Sequence, residues 1–289
     1  MILTDINVIK RILGKHGFSF SKALGQNFLI EPTVCPRMAD MGGVREGTAA
    51  IEIGPGLGVL TVELSKRADK VVTIELDTRL IPVLAETLYD CRNVEVINAD
   101  VLKTDLHALI EEKFSGKSVN VCANLPYYIT SPILMYLLES RLPVESITVM
   151  VQKEAADRLC ARVGSRDSGA ITVAVNYYAD AKVLFDVGRE CFTPSPNVDS
   201  CVIKLTVRKE PPVKVSDEEF FFKMVKAAFS QRRKTASNGI SSGLGMSKDK
   251  VNEALELSGL ALNVRAEALT MEELALLSDN LLKVRNNNE

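Results

Sequence analysis

The fold is decided by the stretch 49–58, which reads AAIEIGPGLG. Its aliphatic half predicts a buried strand, and three glycines at every second position then predict a tight turn. The apolar residues that follow have helical spacing. Glycines let the backbone approach a ligand, and the first N–H groups of a helix are free to bind one. The unit therefore predicts a parallel α/β fold with a nucleoside-type ligand at the turn.

The spacing of the glycines narrows the ligand class. The dinucleotide fingerprint needs a glycine at position 59, where this chain has Val59. NAD and FAD are therefore disfavoured, and Gly54, Gly56 and Gly58 fit the methyl-donor turn of class I methyltransferases better. A dinucleotide-dependent oxidoreductase stays open as an alternative, which calorimetry with S-adenosylhomocysteine against NAD decides.

Aliphatic runs alternate with helical patterns along the first two thirds of the chain. We predict strands over 49–53, 71–75, 94–98, 119–123, 146–151, 182–187 and 200–207, and helices near 57–68, 77–90, 105–114 and 130–140. This alternation predicts a Rossmann-like, seven-stranded α/β sheet that is mostly parallel. The last two strands predict an antiparallel pair at one edge.

The pattern changes at the stiff, proline-containing stretch 208–212. Beyond it the chain shows helical periodicity and no convincing strand. We therefore expect an α/β domain over 1–208 and a small all-helical domain over 209–289.

Composition excludes several classes of protein. The 289 residues hold 35 Lys and Arg against 37 Asp and Glu, so no global positive field indicates a nucleic-acid partner. No apolar run reaches the length of a membrane span, and the N-terminus does not resemble a secretory signal. Six separated cysteines and two histidines give no metal-binding pattern, so we expect no metal and reduced cysteines in a cytoplasmic protein.

Two acids stand where a nucleoside would need them. Glu75 ends the second predicted strand, 21 positions after Gly54, and can accept bonds from both ribose hydroxyls. Asp100 follows the third strand and can accept from the adenine amino group. Any parallel α/β protein has acids at strand ends, and only their order after successive strands favours a nucleoside cofactor.

The turn after the fourth predicted strand offers groups that can bind the amino group of a nucleic-acid base. Asn124 offers an amide oxygen and Leu125 a main-chain carbonyl, and both can accept N–H bonds from an exocyclic amino group. The nitrogen lone pair is then directed at the methyl group without an ionised base. Pro126 stiffens the turn and Tyr127 can stack on the base. The alternative is an ordinary Asn-x-Pro turn, and we assign Tyr128 to half-buried packing.

Phe192 and local basic stretches complete the candidate site. Phe192 precedes a proline-rich loop and either packs in the core or stacks on an extruded base. Basic residues concentrate in two segments, where they either form solvated helix faces or track phosphates. The candidates for RNA binding are Lys10, Arg11, Lys22, Lys223, Arg232, Arg233 and Lys234.

Five segments in order closely resemble the ribosomal RNA adenine N6,N6-dimethyltransferases, above all the bacterial small-subunit type whose loss confers kasugamycin resistance. They are GQNFL at 25–29, EIGPGLG at 52–58, NLPY at 124–127, FTPSPNVDS at 192–200 and FSQRRK at 229–234. The resemblance covers nearly the whole chain, and the ordered set is highly specific.

The resemblance implies S-adenosylmethionine as donor. As substrate it implies two adjacent adenosines in the hairpin loop near the 3′ end of 16S rRNA, in the 30S subunit, and we expect a monomeric enzyme. The resemblance further implies that Asn27, Leu29, Gly54 and Gly56 contact the donor. It implies that Glu75 binds the ribose of the donor and that Asp100 binds its adenine. It also implies that Asn124 binds both the donor and the target amine, and that Phe192 stacks on the target base opposite Tyr127.

Two further functions stay open. One is a macrolide-resistance-type methyltransferase that acts on a large-subunit rRNA adenine, which mapping of the modified RNA distinguishes. The other is a ribosome-assembly factor in which binding rather than catalysis matters. A catalytically dead Asn124 variant that still supports subunit maturation would identify the latter.

Overall fold

The computed structural model describes residues 1–18, 27–231 and 233–286. The chain divides into two compact units, each described here by itself. The first comprises Met1–Ala156 and Asp180–Val207, and the second comprises Asp157–Ala179 and Arg208–Glu289. No helix among the described residues is long and apolar enough to cross a membrane.

Within the described parts of the chain, nine strands form two sheets. They are β1 (Phe28–Leu29), β2 (Thr48–Ile53), β3 (Lys70–Glu75), β4 (Val94–Asn98), β5 (Ser118–Asn124), β6 (Ser146–Gln152), β7 (Ala179–Val187), β8 (Phe192–Thr193) and β9 (Ser200–Val207). The large sheet has the order β4-β3-β2-β5-β6-β9-β7, and β1 pairs with β8 in a small sheet. Strands β2 to β6 pair in parallel, whereas β9 runs antiparallel to β6.

The helices are α1 (Ile6–Lys15), α2 (Val34–Gly42), α3 (Val59–Ser65), α4 (Ile81–Thr87), α5 (Leu106–Phe114), α6 (Thr130–Glu139), α7 (Lys153–Leu159), α8 (Ala170–Tyr178), α9 (Glu218–Ala228), α10 (Ala236–Leu244), α11 (Lys248–Leu257) and α12 (Met271–Asn286). They alternate with the strands as far as β6, after which α7 and α8 are consecutive and α9 to α12 follow β9. The first unit has an apolar core on each side of its sheet. One core holds buried residues of α2 and α3, and the other holds residues of α1 and α4.

The sequence predictions locate all seven strands of the large sheet. The last two predicted strands, β9 and β7, are neighbours at one edge of the sheet, as predicted, although β7 begins at Ala179 instead of 182. Helices α2, α7 and α8 were not predicted. Ile9 and Leu13 of α1 are buried, whereas Ile2 precedes the helix and is exposed.

The second unit is helical, and it includes a segment that we had assigned to the first domain. Tyr177 and Tyr178 of α8 pack against Phe221 and Phe222 of α9, with ring centroids 5.2 to 5.6 Å apart. Both hydroxyls also contact Glu218, at 3.1 and 2.9 Å. This aromatic cluster explains why 157–179 groups with the C-terminal helices. These compact units differ in this segment from the predicted domains 1–208 and 209–289, which we keep as a prediction.

Candidate active site

The topology of the large sheet brings four loops to one cleft. The chain moves outward from β2 through β3 to β4 and then returns to β5 on the other side of β2. Ligands of open α/β sheets bind at such a reversal, beyond the carboxyl ends of the strands. The loops after β2, β3, β4 and β5 all line a single cleft there.

The glycine turn after β2 lets a ligand approach the backbone closely. Gly54, Gly56 and Gly58 have φ values of +69°, +58° and +87°, a region that favours glycine. A Cβ added at Gly54 would meet no protein atom within 4 Å, so open space lies beside it. At Gly56 the same atom would lie 3.4 Å from the ring of Phe28. The turn thus exposes bare backbone to the cleft.

Glu75 and Asp100 both line this cleft. Glu75 is buried, and its Oε1 accepts the N–H of Asp77 at 2.7 Å. Burial raises the pKa of Glu75 against the opposing effect of these N–H bonds. Asp100 Oδ1 accepts the N–H of Leu102 at 3.0 Å, and the carboxylate is partly exposed.

The Asn-Leu-Pro-Tyr turn after β5 lies across the cleft from these acids. Among the described residues, the side-chain amide of Asn124 has no hydrogen-bond partner, and no N–H donates to the Leu125 carbonyl. The Leu125 N–H donates to the carbonyl of Met150 at 3.3 Å, which anchors the turn to β6. Asn124 and Leu125 therefore present acceptors that the protein itself does not use.

Tyr127 is held by its hydroxyl, and Tyr128 is not packed. The Tyr127 hydroxyl lies 2.9 Å from Oγ of Ser200, at the start of β9. Burial raises the pKa of the Tyr127 hydroxyl, so it is a neutral positioning group. The assignment of Tyr128 to half-buried packing was wrong, because this side chain is 57% exposed and lines the cleft.

Phe192 lies both in the core and at the cleft. It lines the cleft, yet it is only 4% exposed and belongs to the core cluster that contains α2. The strand β8 pairs it with Leu29 of β1, so the segment before α2 and the Phe192 loop form one small sheet. Asn27 and Leu29 also line the cleft.

Sequence reasoning missed the apolar walls of the cleft. Phe28, Leu76 and Val101 line it beside the predicted polar residues. Leu76 and Val101 directly follow Glu75 and Asp100 in the sequence, so their position after the two acids was a usable signal. An apolar pair flanked by two acids suits a purine ring with a ribose attached.

Glu52 lies beneath the glycine turn. It is fully buried in β2, and its Oε2 accepts the hydroxyl of Thr61 at 2.5 Å. Burial raises the pKa of Glu52 to about 8, an effect that the Thr61 bond only partly offsets. Its side chain therefore keeps a proton near neutral pH.

The predicted basic residues lie in both units. Lys10 and Arg11 are exposed on α1 in the first unit. In the second unit Arg233 and Lys234 are exposed, whereas Lys223 pairs with Glu219 at 2.6 Å. Lys22 and Arg232 lie outside the described residues.

Three features together define a class I methyltransferase fold. They are the strand order, the glycine turn after β2, and the acids at the ends of β3 and β4. Comparison with known proteins identifies the family. The model of the family described as ribosomal RNA adenine dimethylase matches residues 17–283. The chain belongs to this family, and its activity is that of an rRNA adenine dimethyltransferase, as the sequence resemblance implied.

Individual proteins agree with this assignment. The Ribosomal RNA small subunit methyltransferase A of Geobacillus thermodenitrificans (strain NG80-2) is 51% identical over 277 residues, 94% of each chain. A dimethyladenosine transferase from Plasmodium falciparum has a similar structure, with a TM-score of 0.70 and 25% identity over 90% of this chain and 98% of that one. The 23S rRNA methyltransferase ErmE has a TM-score of 0.65 and 28% identity over 88% and 99%.

Proposed function

We propose that this enzyme transfers methyl groups from S-adenosylmethionine to N6 of two adjacent adenosines in the 3′-terminal hairpin loop of 16S rRNA, within the 30S subunit. The observation that carries the proposal is the placement of unused acceptors, Asn124 and the Leu125 carbonyl, in the same cleft as the glycine turn. The small-subunit name of the 51% identical relative favours the 16S target.

The cleft fits a nucleoside donor. Its open space beside Gly54 suits the amino-acid end of the donor, where a side chain would obstruct it. Glu75 would accept the ribose hydroxyls, a role supported by its position at the end of β3 in the cleft wall. Leu76 and Val101 would enclose the adenine ring, and Asp100 would accept from its amino group.

Once bound, the donor supplies a methyl group on a positively charged sulfur. Asn124 and the Leu125 carbonyl accept the N–H bonds of the target amine, which favours a pyramidal nitrogen with its lone pair aimed along the cleft. Because these acceptors are fixed dipoles in a partly dry site, they need no reorganisation during the reaction. The nitrogen becomes strongly acidic when it is methylated, and it then loses its proton to water.

Two aromatic rings hold the target base. Tyr127 is fixed through Ser200 and Phe192 through the β1–β8 sheet, so both present their rings without a further loss of side-chain freedom. Stacking of this kind contributes about 1–3 kcal/mol per base. It offsets the cost of a few kcal/mol for removing the base from its own stack.

The second methylation uses the same acceptors with one fewer donor. A monomethylated amine carries a single N–H, so either Asn124 or the Leu125 carbonyl loses its partner in the second round. The turn must therefore hold the amine with one hydrogen bond. Stacking on the aromatic rings then contributes more to the orientation of the base.

Basic residues of both units would bind the phosphate backbone of the rRNA. Lys10 and Arg11 on α1 and Arg233 and Lys234 after α9 are exposed. We infer a further contribution from Lys22, Lys223 and Arg232. The enzyme acts as a cytoplasmic monomer in ribosome biogenesis, and its loss would confer kasugamycin resistance.

The large-subunit alternative draws support from the similarity to ErmE, which is named for 23S rRNA. Its 28% identity is far below the 51% of the small-subunit relative, so we favour the 16S target. A pure assembly factor would need no unused acceptors in a cleft of this kind.

The decisive test is incubation with labelled S-adenosylmethionine and under-methylated 30S subunits, followed by mass spectrometry of the RNA. We expect two neighbouring dimethyladenosines in the 3′-terminal hairpin. Intact 50S subunits serve as the control substrate and should take up no label. Label in 23S rRNA, or none in either subunit, would contradict the proposal.

A further inference from the structure

Tyr128 is an exposed aromatic side chain at the donor cleft to which the steps above give no role. It lines the cleft and is 57% exposed. Within the described parts of the chain, its hydroxyl has no hydrogen-bond partner and its ring pairs with no other aromatic ring. A single exposed apolar side chain is ordinary on an open surface. This one lies in a concave ligand site, where its ring is available to a bound molecule.

The backbone that carries Tyr128 is fixed. Tyr127, Tyr128 and Ile129 form a 3₁₀ turn between β5 and α6. The Pro126 carbonyl accepts the N–H of Ile129 at 3.1 Å and the hydroxyl of Thr130 at 3.2 Å, and these two bonds close the turn. The ring of Tyr128 is therefore presented from a rigid support, although the side chain itself has no partner among the described residues.

The side chains of Tyr127 and Tyr128 diverge. A 3₁₀ turn has about three residues per turn, so neighbouring side chains point about 120° apart. The hydroxyl of Tyr127 lies 2.9 Å from Oγ of Ser200, so the ring of Tyr128 is directed elsewhere. The two Cα atoms are nevertheless only about 3.8 Å apart. Two consecutive rings that face different directions suit two successive nucleotides of one strand.

The turn lies on the side of the sheet opposite the groups proposed for the donor nucleoside. Glu75 and Asp100 follow β3 and β4, on one side of β2, whereas the turn follows β5 on the other side. Tyr127 is also tied to β9, which lies beyond β6. This placement associates Tyr128 with the RNA rather than with the donor.

We propose that Tyr128 stacks on the base next to the adenine that is being methylated. The inference rests on the proposed function, because its substrate is a pair of adjacent adenosines. Since an RNA strand has a direction, the stacked neighbour is the other adenine of the pair when one of the two is methylated. When the other is methylated, the neighbour is the flanking nucleotide. Tyr128 is thus a specificity-determining residue that holds the second nucleotide while Tyr127 and Phe192 hold the reacting base.

The exposure of Tyr128 provides variants that leave the fold intact. Tyr128→Ala removes a ring without partners among the described residues, so the melting temperature should change little. Tyr128→Phe keeps the ring and removes only the hydroxyl. Tyr89→Ala is the matched control, since Tyr89 is 74% exposed in the same unit but does not line the cleft.

The first arm measures kcat/KM on under-methylated 30S subunits and Kd for S-adenosylmethionine by calorimetry. We expect Tyr128→Ala to lower kcat/KM by at least about fivefold, the lower end of what one stacked base contributes. The donor Kd should change by less than about threefold. Tyr128→Phe should recover most of the loss, and Tyr89→Ala should match the wild type. Normal kcat/KM in Tyr128→Ala, or an equal loss of donor affinity, would overturn the proposal.

The second arm removes the neighbouring base. Subunits are reconstituted with 16S rRNA that carries an abasic nucleotide in place of one adenosine of the pair, at each position in turn. Methylation of the remaining adenosine is followed by mass spectrometry. For one of the two positions, we expect the wild type to lose at least about fivefold in kcat/KM and Tyr128→Ala less than about twofold, because the variant has no stack to lose. Equal losses in the two enzymes would show that Tyr128 does not contact that base.

The wild type on unmodified subunits separates this inference from the proposed function. Label in 23S rRNA alone would overturn the proposed function, and the inference with it. Dimethylation of both adenosines at the same rate by the wild type and Tyr128→Ala would overturn the inference alone.

Discussion

Replacing Phe192 tests whether its ring does more than fill the core. Phe192→Ala is a poor test, because this side chain is 4% exposed and a buried Phe→Ala change costs about 3–5 kcal/mol of stability. Phe192→Leu keeps more of the volume and removes the aromatic face. Base stacking contributes about 1–3 kcal/mol, and leucine retains part of the apolar contact. A net loss of about 1–2 kcal/mol corresponds to a fall of about 5- to 30-fold in kcat/KM.

The assay is methylation of under-methylated 30S subunits, with Kd for S-adenosylmethionine measured in parallel by calorimetry. We expect the donor Kd to stay within about threefold. Phe185→Leu is the matched control, because Phe185 is buried in the same core cluster but does not line the cleft. Equal losses of activity in the two variants, or equal losses of donor affinity and activity in Phe192→Leu, would refute the stacking role.

Three further changes probe the cleft and the residue beneath it. Asn124→Ala removes an amide acceptor and should lower kcat on 30S subunits by about 10²-fold or more; near-normal turnover would remove its catalytic role. Tyr127→Phe keeps the ring but leaves the buried Ser200 hydroxyl unpaired, so the free energy of unfolding in urea titrations should fall by about 1–3 kcal/mol. The kcat of this variant should fall by less than about tenfold. Glu52 has its pKa raised from 4.5 to about 8, so between these pH values the native state holds a proton that the unfolded chain has released. The free energy of unfolding therefore falls as pH rises through this window, by up to about 1.4 kcal/mol per pH unit. Glu52→Gln removes this titration, so the free energy of unfolding should depend less on pH in urea titrations at pH 5, 6.5 and 8. An unchanged slope would show that Glu52 is ionised in the native state.

The parts of the fold that the sequence predicted are those with strong local signals. The large strands are mostly continuous aliphatic runs, and the glycine turn directly follows the first of them. Helix α8 escaped prediction because Ile171, Thr172, Val173 and Val175 are β-branched, and such residues favour strands. Its helical state depends on packing against α9, a contact between distant segments that local propensity does not contain.

The same distinction applies to the candidate site. Glu75, Asp100 and Asn124 were predictable because each follows a strand whose end must face the ligand. The pairing of β1 with β8 involves two residues on each side, too short for any periodicity to reveal. The exposure of Tyr128 likewise depends on how its turn is oriented and not on the residues beside it.

The adjacency of β2 and β5 has a consequence for how this enzyme family diversifies. These strands pair in register from Thr48 with Ser118 to Ile53 with Ala123, and their ends carry the two loops that would face donor and acceptor. The gap between the reacting partners is thereby set by hydrogen-bonded backbone, the stiffest part of the molecule. Insertions elsewhere can alter which nucleic acid is admitted while the bond-making distance stays constant. Substrate choice and transfer geometry can therefore evolve as separate traits.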